Sequence, residues 1–418
     1  MKHEAVPLDE FRAQARAWIR ANLERLPVER VHGVRMRNPS SAEIASARRL
    51  QRRLFEAGFA GISYPIEYGG RGLTSAHERV FKEESAGYVT PDFGGAGVVT
   101  FGPVGRSILA HGSAALKKSH LPAILAGEEI WCQFYSEPDA GSDLAGIRTS
   151  AVLNGERYLL NGSKIWSTGA YYADWAMCLA RTDWSVPKHR GLTWFVLPTR
   201  APGVTVKRIA QIDGSAEFCE EFLDDVPVPV TDVLGEVGRG WEVTQTMLVY
   251  ERGAGASGAS AEPRAVAPDL VALAAQVGRL RDPLARQAIA RAHILDWAQY
   301  HLGARIAARL SSPDRPAPAI AAYAKLAMGT FRPIRARQAV AIGGSRVLSW
   351  KPGDEAARAP AIDYLNGRMA SIAAGTNEMQ RNGIGERVLG LPREPSFDQD
   401  KPFAQVLRDA RHWDGKIG

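Results

Sequence analysis

The sequence predicts an α+β protein that is mainly helical, with one block of strands between two blocks of helices. In the first 128 residues, apolar side chains such as Phe11, Ala15 and Trp18 recur at helical spacing. Short apolar runs such as 192–197 then alternate with turns rich in Pro and Gly, which is typical of strands. After Trp241 the helical spacing returns. We therefore predict three domains, over residues 1–128, 129–238 and 239–418.

Start signals and periodicity place several elements within these blocks. Ser40 and Glu43 have the spacing of a capping box, which predicts a helix start. Strands are predicted at 177–180, 192–197 and 204–206. In the last block we predict helices at roughly 240–260, 265–280, 284–311, 319–343, 361–373 and 376–388.

Two loops are candidates for a binding site. Residues 134–143 contain Pro, Gly, Ser and Asp so densely that we expect an irregular loop. Gly141 would let a flat ligand approach the backbone. About twenty residues later, Asn161-Gly162 predicts a hairpin turn that presents Trp166 beside the loop. On composition alone, two surface turns of a β domain, with Trp166 in its core, are an equally simple interpretation.

Composition excludes several classes of protein. No run of 18 apolar residues is present, so we expect no membrane span. The net charge is +7, but the arginines are scattered among Ala and Glu on helical faces, which argues against nucleic-acid binding. The three cysteines, at 132, 178 and 219, are unclustered. They favour a reducing cytoplasm and neither a disulfide framework nor a metal site.

Five stretches resemble the signatures of one enzyme family, and they occur in that family's order. They are residues 65–70, 134–143, 161–169, 220–241 and 372–392. Together they resemble the acyl-CoA dehydrogenases, and the likeness runs from about residue 10 to residue 394. The resemblance implies an N-terminal helical domain, a central β-barrel domain and a C-terminal four-helix bundle.

The resemblance also implies a reaction. Members of the family desaturate an acyl-CoA thioester between Cα and Cβ, giving a 2,3-enoyl-CoA. A carboxylate removes the α-proton, and FAD accepts the β-hydride because no amino-acid side chain can do so. Electrons then pass to an electron-transfer flavoprotein. An oxidase that reduces O2 with the same flavin is an alternative that the sequence leaves open.

The position of the base departs from the commoner family pattern. Most members have a Glu directly before the Gly-Thr of the C-terminal signature, where this chain has Ala374. In some branches the Glu stands instead on the helix after the β domain, directly before an Arg. Glu251-Arg252 matches that arrangement, which implies Glu251 as the base in a bacterial branch of this kind. A helix-surface carboxylate paired with a nearby cation is the alternative interpretation of Glu251.

The remaining site residues follow from the same resemblance. The backbone N–H of Ala374 would polarise the thioester carbonyl, and Gly375 would leave room for the acyl chain. The flavin ring would lie against Trp166 and Thr168, and backbone groups of Gln133, Tyr135, Ser136 and Ser142 would meet its polar edge. The implied cofactor contacts are Gln133, Tyr135, Ser136, Gly141, Ser142, Trp166, Ser167, Thr168, Thr376 and Glu378, and the implied substrate contacts are Ser142, Arg252, Ala374 and Gly375.

The adenine end of the FAD site also departs from the family. Members often have an Arg-x-x-Phe-Gly segment and a Gln before a Gly-Gly, which reach the FAD of a neighbouring subunit. Residues 278–283 here lack the Phe-Gly, and Val340 stands where the Gln would be. We expect an oligomer, a homotetramer or a heterotetramer. A non-catalytic partner subunit of a heteromeric enzyme is the main alternative function. The small residues near the site favour branched or bulky acyl groups.

Overall fold

The structure is a computed structural model that describes residues 6–26, 38–257, 265–310, 318–351, 353–396 and 398–411. Its backbone contacts divide the chain into two compact units. The first comprises Met1–Ala210, Ser215–Met247 and Phe397–Gly418, and the second comprises Gln211–Gly214 and Leu248–Ser396.

The first unit begins with six helices. Helix α2 starts with the predicted capping box, because Ser40 Oγ accepts the N–H of Glu43 while the Glu43 side chain accepts the N–H of Ser40. The apolar stripe of α1 is buried at Phe11, Ala15 and Ile19, as its spacing predicts. The helices are α1 (Leu8–Asn22), α2 (Ser41–Glu56), α3 (Ser75–Ser85), α4 (Gly94–Val99), α5 (Gly105–His111) and α6 (Ala114–Ala126).

Eight strands then form one mostly antiparallel sheet in the order β6-β7-β3-β2-β4-β5-β8, with β1 parallel to β4. The strands predicted at 177–180, 192–197 and 204–206 are confirmed as β4, β5 and β6. The strands are β1 (Trp131–Phe134), β2 (Ser150–Asn154), β3 (Arg157–Thr168), β4 (Trp175–Arg181), β5 (Leu192–Pro198), β6 (Val204–Arg208), β7 (Phe218–Pro229) and β8 (Val233–Leu234).

The predicted hairpin at Asn161-Gly162 is wrong. Both residues lie inside the continuous strand β3, at an irregularity in its pairing with β7. Glycine is needed at 162 because the strand passes close to Thr149, and the Asn161 side chain exchanges two hydrogen bonds with Asp225. The real hairpin turn joins β2 to β3 through Gly155, where the sequence has an earlier Asn-Gly pair.

Helix α7 (Gly240–Ser257) follows the sheet, and most helices of the second unit come after it. The predicted start of the helix at 361 is wrong, because α12 begins six residues earlier, where Asp354 accepts the N–H of Ala357. The helices of this block are α8 (Pro268–Gln276), α9 (Pro283–Leu310), α10 (Ala321–Gly343), α11 (Ser345–Leu348), α12 (Glu355–Gly367) and α13 (Asn377–Arg387).

A last helix, α14 (Phe403–Arg411), returns to the first unit and was not predicted. Phe403 stacks on Trp184 with ring centroids 5.8 Å apart, and the guanidinium of the buried Arg181 lies 4.0 Å from its ring centre. The Arg181 side chain also donates to the carbonyls of Ala145 and Ile147. The C-terminal helix therefore supports the segment that follows the predicted binding loop.

The predicted fold class is confirmed, since helices precede and follow a single sheet. The exact domain limits at 128 and 238 stay a prediction. Within the described ranges, no helix combines the length and apolar character that crossing a membrane requires. The cysteines at 132, 178 and 219 are free and buried.

The corrected role of Gly162 can be tested by mutation. A Cβ at this position would lie 2.5 Å from Thr149 Oγ1 and 2.8 Å from Thr149 Cα, at a φ of 150°. We expect Gly162→Ala to lower the free energy of unfolding by about 3 kcal/mol, through overpacking and backbone strain. Gly155→Ala is the control, because its φ is 61° and its Cβ would meet open space. Gly155→Ala should lower the free energy of unfolding in urea by about 1 kcal/mol. Equal losses in the two variants would contradict this role for Gly162.

Candidate active site

Backbone strain marks two of the predicted site positions. Among the described residues other than glycine, four have a positive φ, and they include Trp166 at 69° and Ala374 at 55°. For a residue other than glycine, this backbone conformation lowers stability by about 1–2 kcal/mol, and such strain persists mainly where a function requires it. Trp166 belongs to the first unit and Ala374 to the second, and each is described within its own unit.

Trp166 is the extra residue of a β-bulge. Ile165 pairs with Glu220 and Ser167 with the adjacent Cys219, so Trp166 has no partner on β7. The bulge turns its ring outward, where the side chain is 55% exposed and meets Phe218 edge-on, at 6.0 Å between ring centroids. The interpretation of Trp166 as a core residue is therefore wrong. The exposed ring is a flat apolar surface that a planar ligand could cover.

A buried ion pair joins the loop 134–143 to β3. Lys164 Nζ lies 2.8 Å from Glu137 Oε1, and neither side chain is appreciably exposed. Glu137 also accepts the backbone N–H groups of Arg148 and Thr149, at 2.6 and 2.9 Å. Burial opposes the ionisation of Glu137, but the attraction of Lys164 and these N–H donors outweigh it and lower its pKa. Lys164 also donates to the carbonyl of Tyr135.

The loop itself is a tight turn followed by exposed small residues. Glu137 and Ala140 exchange two backbone hydrogen bonds, at 3.1 and 3.0 Å. Gly141 and Ser142 come next and are exposed. A Cβ at Gly141 would meet no atom within 4 Å, and its φ is not positive. Nothing in the described protein requires glycine at 141, so its surface is open to a ligand.

Some polar groups of the loop have hydrogen-bond partners among the described residues, and one buried group has none. The carbonyls of Gln133, Tyr135 and Ser136 accept hydrogen bonds from Ser167 Oγ, Lys164 Nζ and the Ile165 N–H. By contrast, the side-chain nitrogen of Gln133 is buried and has no hydrogen-bond partner in the described part of the chain. An amide N–H in that state fits an acceptor on a bound molecule. The carbonyls at three of the expected backbone contacts are thus already used within the protein, and at Gln133 the group left for a ligand is the side-chain amide.

The strand beside the loop also holds Thr168, which packs against α4. A Cβ on Gly95 would overlap both Thr168 Cγ2 and Glu217 Oε1. The Gly95 N–H donates to Glu217 at 2.8 Å, and the Glu217 carbonyl accepts the N–H of Gly169. Glycine at 95 therefore lets the start of α4 sit directly on the strand that carries Trp166.

In the second unit, one side chain binds both carbonyls of the turn Ala374-Gly375. Gln380 Nε2 donates to the carbonyls of Ala374 and Gly375, at 3.3 and 3.1 Å. Thr376 caps α13 by accepting the N–H of Met379. No hydrogen bond within the described residues uses the N–H of Ala374. This donor is the one expected to polarise a thioester carbonyl.

The other predicted residues of the second unit lie on helices. Glu251 is half-buried on α7, next to the exposed side chain of Tyr250. Arg252 lies on the same helix, but its side chain is outside the described part of the structure. Glu378 is exposed in the first turn of α13, 3.8 Å from Arg381. Their roles stay predictions.

Sequence reasoning missed several buried residues that are hydrogen-bonded to these segments, namely Glu137, Lys164, Glu221 and Gln380. A usable signal exists for Glu221. Cys219, Glu221 and Leu223 occupy every second position along β7, so their side chains lie on the same, buried face. The signal for Lys164 is hidden by the bulges of β3, which shift the alternation of buried and exposed residues. Among the described residues, no cluster of His, Cys, Asp or Glu could hold a metal ion.

The role of the ion pair predicts a large loss of stability when it is broken. Lys164→Met should lower the free energy of unfolding in urea by about 3–5 kcal/mol, because it leaves the Glu137 charge buried and unpaired. The double variant Glu137→Gln/Lys164→Met should lose clearly less than the sum of the two single losses. Arg148→Met, which breaks an exposed pair with Asp139 on the same loop, is the control and should cost below about 1 kcal/mol. Additive losses in the double variant would contradict a coupled pair.

Comparison with known proteins identifies the family. Three family models match the chain: the N-terminal domain of acyl-CoA dehydrogenases at residues 8–128, their middle domain at 132–226 and their C-terminal domain at 238–389. The chain is 36% identical over 394 residues to "Acyl-CoA dehydrogenase IpdE1" of Mycobacterium tuberculosis. That match covers 93% of this chain and 98% of the relative.

Solved structures give the same result. The chain resembles "Tcur3481-Tcur3483 steroid ACAD" with a TM-score of 0.74 and 28% identity, over 94% of this chain and 99% of that one. It resembles a chain of the "ChsE4-ChsE5 complex from Mycobacterium tuberculosis" with a TM-score of 0.69 and 26% identity, over 94% and 100%. With three matching domains in order and a curated relative matched over nearly its full length, the chain belongs to the acyl-CoA dehydrogenase family of enzymes.

Proposed function

We propose that this protein catalyses the FAD-dependent α,β-dehydrogenation of an acyl-CoA thioester and passes the electrons to an electron-transfer flavoprotein. The observation that carries the proposal is the strained bulge that exposes Trp166 beside a loop held open by the buried Glu137–Lys164 pair. The left-handed backbone at Trp166 costs stability, and the described residues reveal no packing purpose for it. The arrangement suits a planar ligand with polar edges.

The residues of the first unit fit a flavin. The Trp166 ring is exposed, the space at Gly141 is open, and the side-chain N–H groups of Gln133 lack a partner among the described residues. We propose direct contacts from Gln133, Gly141, Trp166 and Thr168, with Tyr135, Ser136 and Ser142 at the polar edge. Ser167 is buried and bonded within the protein, so we give it a supporting role. In the second unit, Thr376 and Glu378 are proposed for the adenine end.

FAD, when bound, accepts the hydride from the β-carbon of the substrate. The chain itself has to remove the α-proton and stabilise the resulting charge. We propose that a carboxylate oxygen of Glu251 takes the proton and that the N–H of Ala374, which has no partner among the described residues, donates to the thioester oxygen. Gly375, Ser142 and Arg252 are each proposed as substrate contacts.

The substrate class is proposed from the relatives. One of the similar structures is named as a steroid acyl-CoA dehydrogenase. Small residues at the predicted thioester turn, Ala374 and Gly375, suit the same conclusion because they leave space near the reacting carbons. We propose a bulky, polycyclic acyl-CoA as the substrate.

A non-catalytic partner subunit is the second candidate. Two of the similar structures, Tcur3481-Tcur3483 and the ChsE4-ChsE5 complex, each carry the names of two proteins. The adenine-end motifs of the family are altered here at residues 278–283 and at Val340. A heterotetramer is therefore proposed beside a homotetramer. Oxidase activity with O2 and a cytoplasmic location stay predictions from the sequence.

The purified protein should carry non-covalent FAD as part of an oligomer. Absorption spectra should show flavin bands that are released on denaturation, and light scattering should give the mass of a tetramer. The protein should be measured alone and after co-expression with a homologue encoded beside it. Absence of flavin in both preparations, even after reconstitution with FAD, would refute the proposal. A flavin-loaded, active monomer would refute the oligomer.

Glu251→Gln should greatly slow the removal of the α-proton and leave the binding of FAD and acyl-CoA unchanged. The amide has nearly the same shape but cannot take the proton, so the rate of flavin reduction by a good substrate should fall by about 100-fold or more. Stopped-flow spectroscopy measures that rate, and FAD content serves as the folding check. Glu242→Gln on the same helix is the matched control, since Glu242 pairs with Arg239 at the surface.

A second change tests the same assignment from the other side. Ala374→Glu places a carboxylate at the commoner family position. In the Glu251→Gln background it should restore part of the rate of flavin reduction, provided that the larger side chain fits at position 374. Flavin reduction by Glu251→Gln at the wild-type rate would show that Glu251 is not the base.

A further inference from the structure

We infer that Glu221 is a neutral carboxylic acid that acts as a positioning residue, holding Ser167 and therefore the bulge that presents Trp166. Glu221 lies on β7, which pairs with β3, the strand that carries Trp166 and Thr168. Its side chain is buried. The inference rests on the proposed function only where it treats those two residues as the flavin surface. Its protonation and its contact with Ser167 are properties of the protein alone.

The hydrogen bonds of Ser167 require a proton on Glu221. Ser167 Oγ lies 2.7 Å from the carbonyl oxygen of Gln133 and 2.8 Å from Glu221 Oε2. A serine hydroxyl has one proton, and the carbonyl can only accept. If Ser167 donates to Gln133, the second contact needs a proton from Glu221. An ionised Glu221 would leave two acceptors competing for one proton.

The surroundings of Glu221 lead to the same result. Its side chain is fully buried, and Oε1 has no hydrogen-bond partner in the described part of the protein. The ionised Glu137 nearby has three donors by comparison. Burial raises the pKa of Glu221 to about 8, although Ser167 and Lys164 act in the opposite direction.

The neighbouring charges do not change this assignment. The Lys164 ammonium is bonded to Glu137 and to a backbone carbonyl, so its attraction is shared. The thiols around Glu221 are neutral, because burial raises the pKa of each of them. The titratable groups that act on Glu221 or on the thiols around it are Lys164 on β3, Glu137 in the loop, Glu220 on β7, Arg208 on β6, and the thiols Cys132, Cys178 and Cys219 on β1, β4 and β7.

The chain of hydrogen bonds from Glu221 through Ser167 to Gln133 joins β7, β3 and β1 directly beside the bulge. Ser167 is buried, whereas the preceding Trp166 is turned outward. A left-handed conformation at a bulky residue persists only when its surroundings hold it. Glu221 therefore positions Trp166 from the opposite side of the sheet without touching a ligand.

Protonation can be measured on the protein without cofactor. The folded state keeps a proton that the unfolded chain releases, so this group makes stability fall as pH rises between about 4.5 and about 8. Glu221→Gln should remove that part of the pH dependence of the melting temperature. Glu220→Gln, the neighbour on the opposite face of the same strand, should keep it. The infrared C=O band of a protonated carboxyl should be present at neutral pH in the wild type and absent in Glu221→Gln.

Positioning can be separated from protonation with Glu221→Leu. The amide of Glu221→Gln can still donate to Ser167 Oγ, whereas leucine cannot. Hydrogen–deuterium exchange of residues 165–168 should therefore increase in Glu221→Leu and stay unchanged in Glu221→Gln. The affinity for FAD should fall by about tenfold in the leucine variant alone, which is the loss expected for one buried hydrogen bond.

Each result bears on a different statement. Identical pH dependence and infrared spectra in the wild type and Glu221→Gln would overturn the neutral acid, whether or not FAD binds. Unchanged exchange at 165–168 in Glu221→Leu would overturn the positioning role, and if the leucine variant does not fold, Glu221→Met gives the same comparison. Failure of every variant and of the wild type to bind FAD would count against the proposed function and leave the pH and exchange results to decide on Glu221.

Discussion

The buried pair of Glu137 and Lys164 is the interaction on which the candidate site depends. It joins a loop that has no regular structure to the strand β3, in a place where an unpaired charge would be very costly. Glu137 also accepts two backbone N–H groups from the chain that leaves the loop. Glu137 therefore ties the loop both to β3 and to the segment that follows it.

The strain at Trp166 and Ala374 becomes understandable within this arrangement. Glycine would relieve the left-handed backbone at either position. At 166, however, it would remove the exposed ring that we propose as the flavin surface. At 374 the strained turn directs two carbonyls to Gln380 and leaves one N–H without a partner in the described protein. We propose that the strain at both positions orients groups for a ligand.

The sequence predicts much of the fold and the irregular loop 134–143, because both rest on local patterns. The capping box at Ser40 and the strands β4, β5 and β6 are confirmed. The hairpin at Asn161-Gly162 fails because Gly162 is required by a distant residue, Thr149, and turn statistics describe only neighbours. The partnership of Glu137 with Lys164, 27 positions apart in sequence, is likewise invisible until the sheet brings them together.

We propose that the loop 134–143 and the bulge at Trp166 bind a flavin, and that the turn at Ala374 binds a thioester. A crystal structure of the protein with FAD and an enoyl-CoA product tests it most directly. The account predicts a flavin ring against Trp166, with its left-handed backbone and the Glu137–Lys164 pair preserved, and a thioester oxygen at the N–H of Ala374. A ring bound elsewhere, or a Trp166 relaxed to ordinary strand geometry, would contradict it.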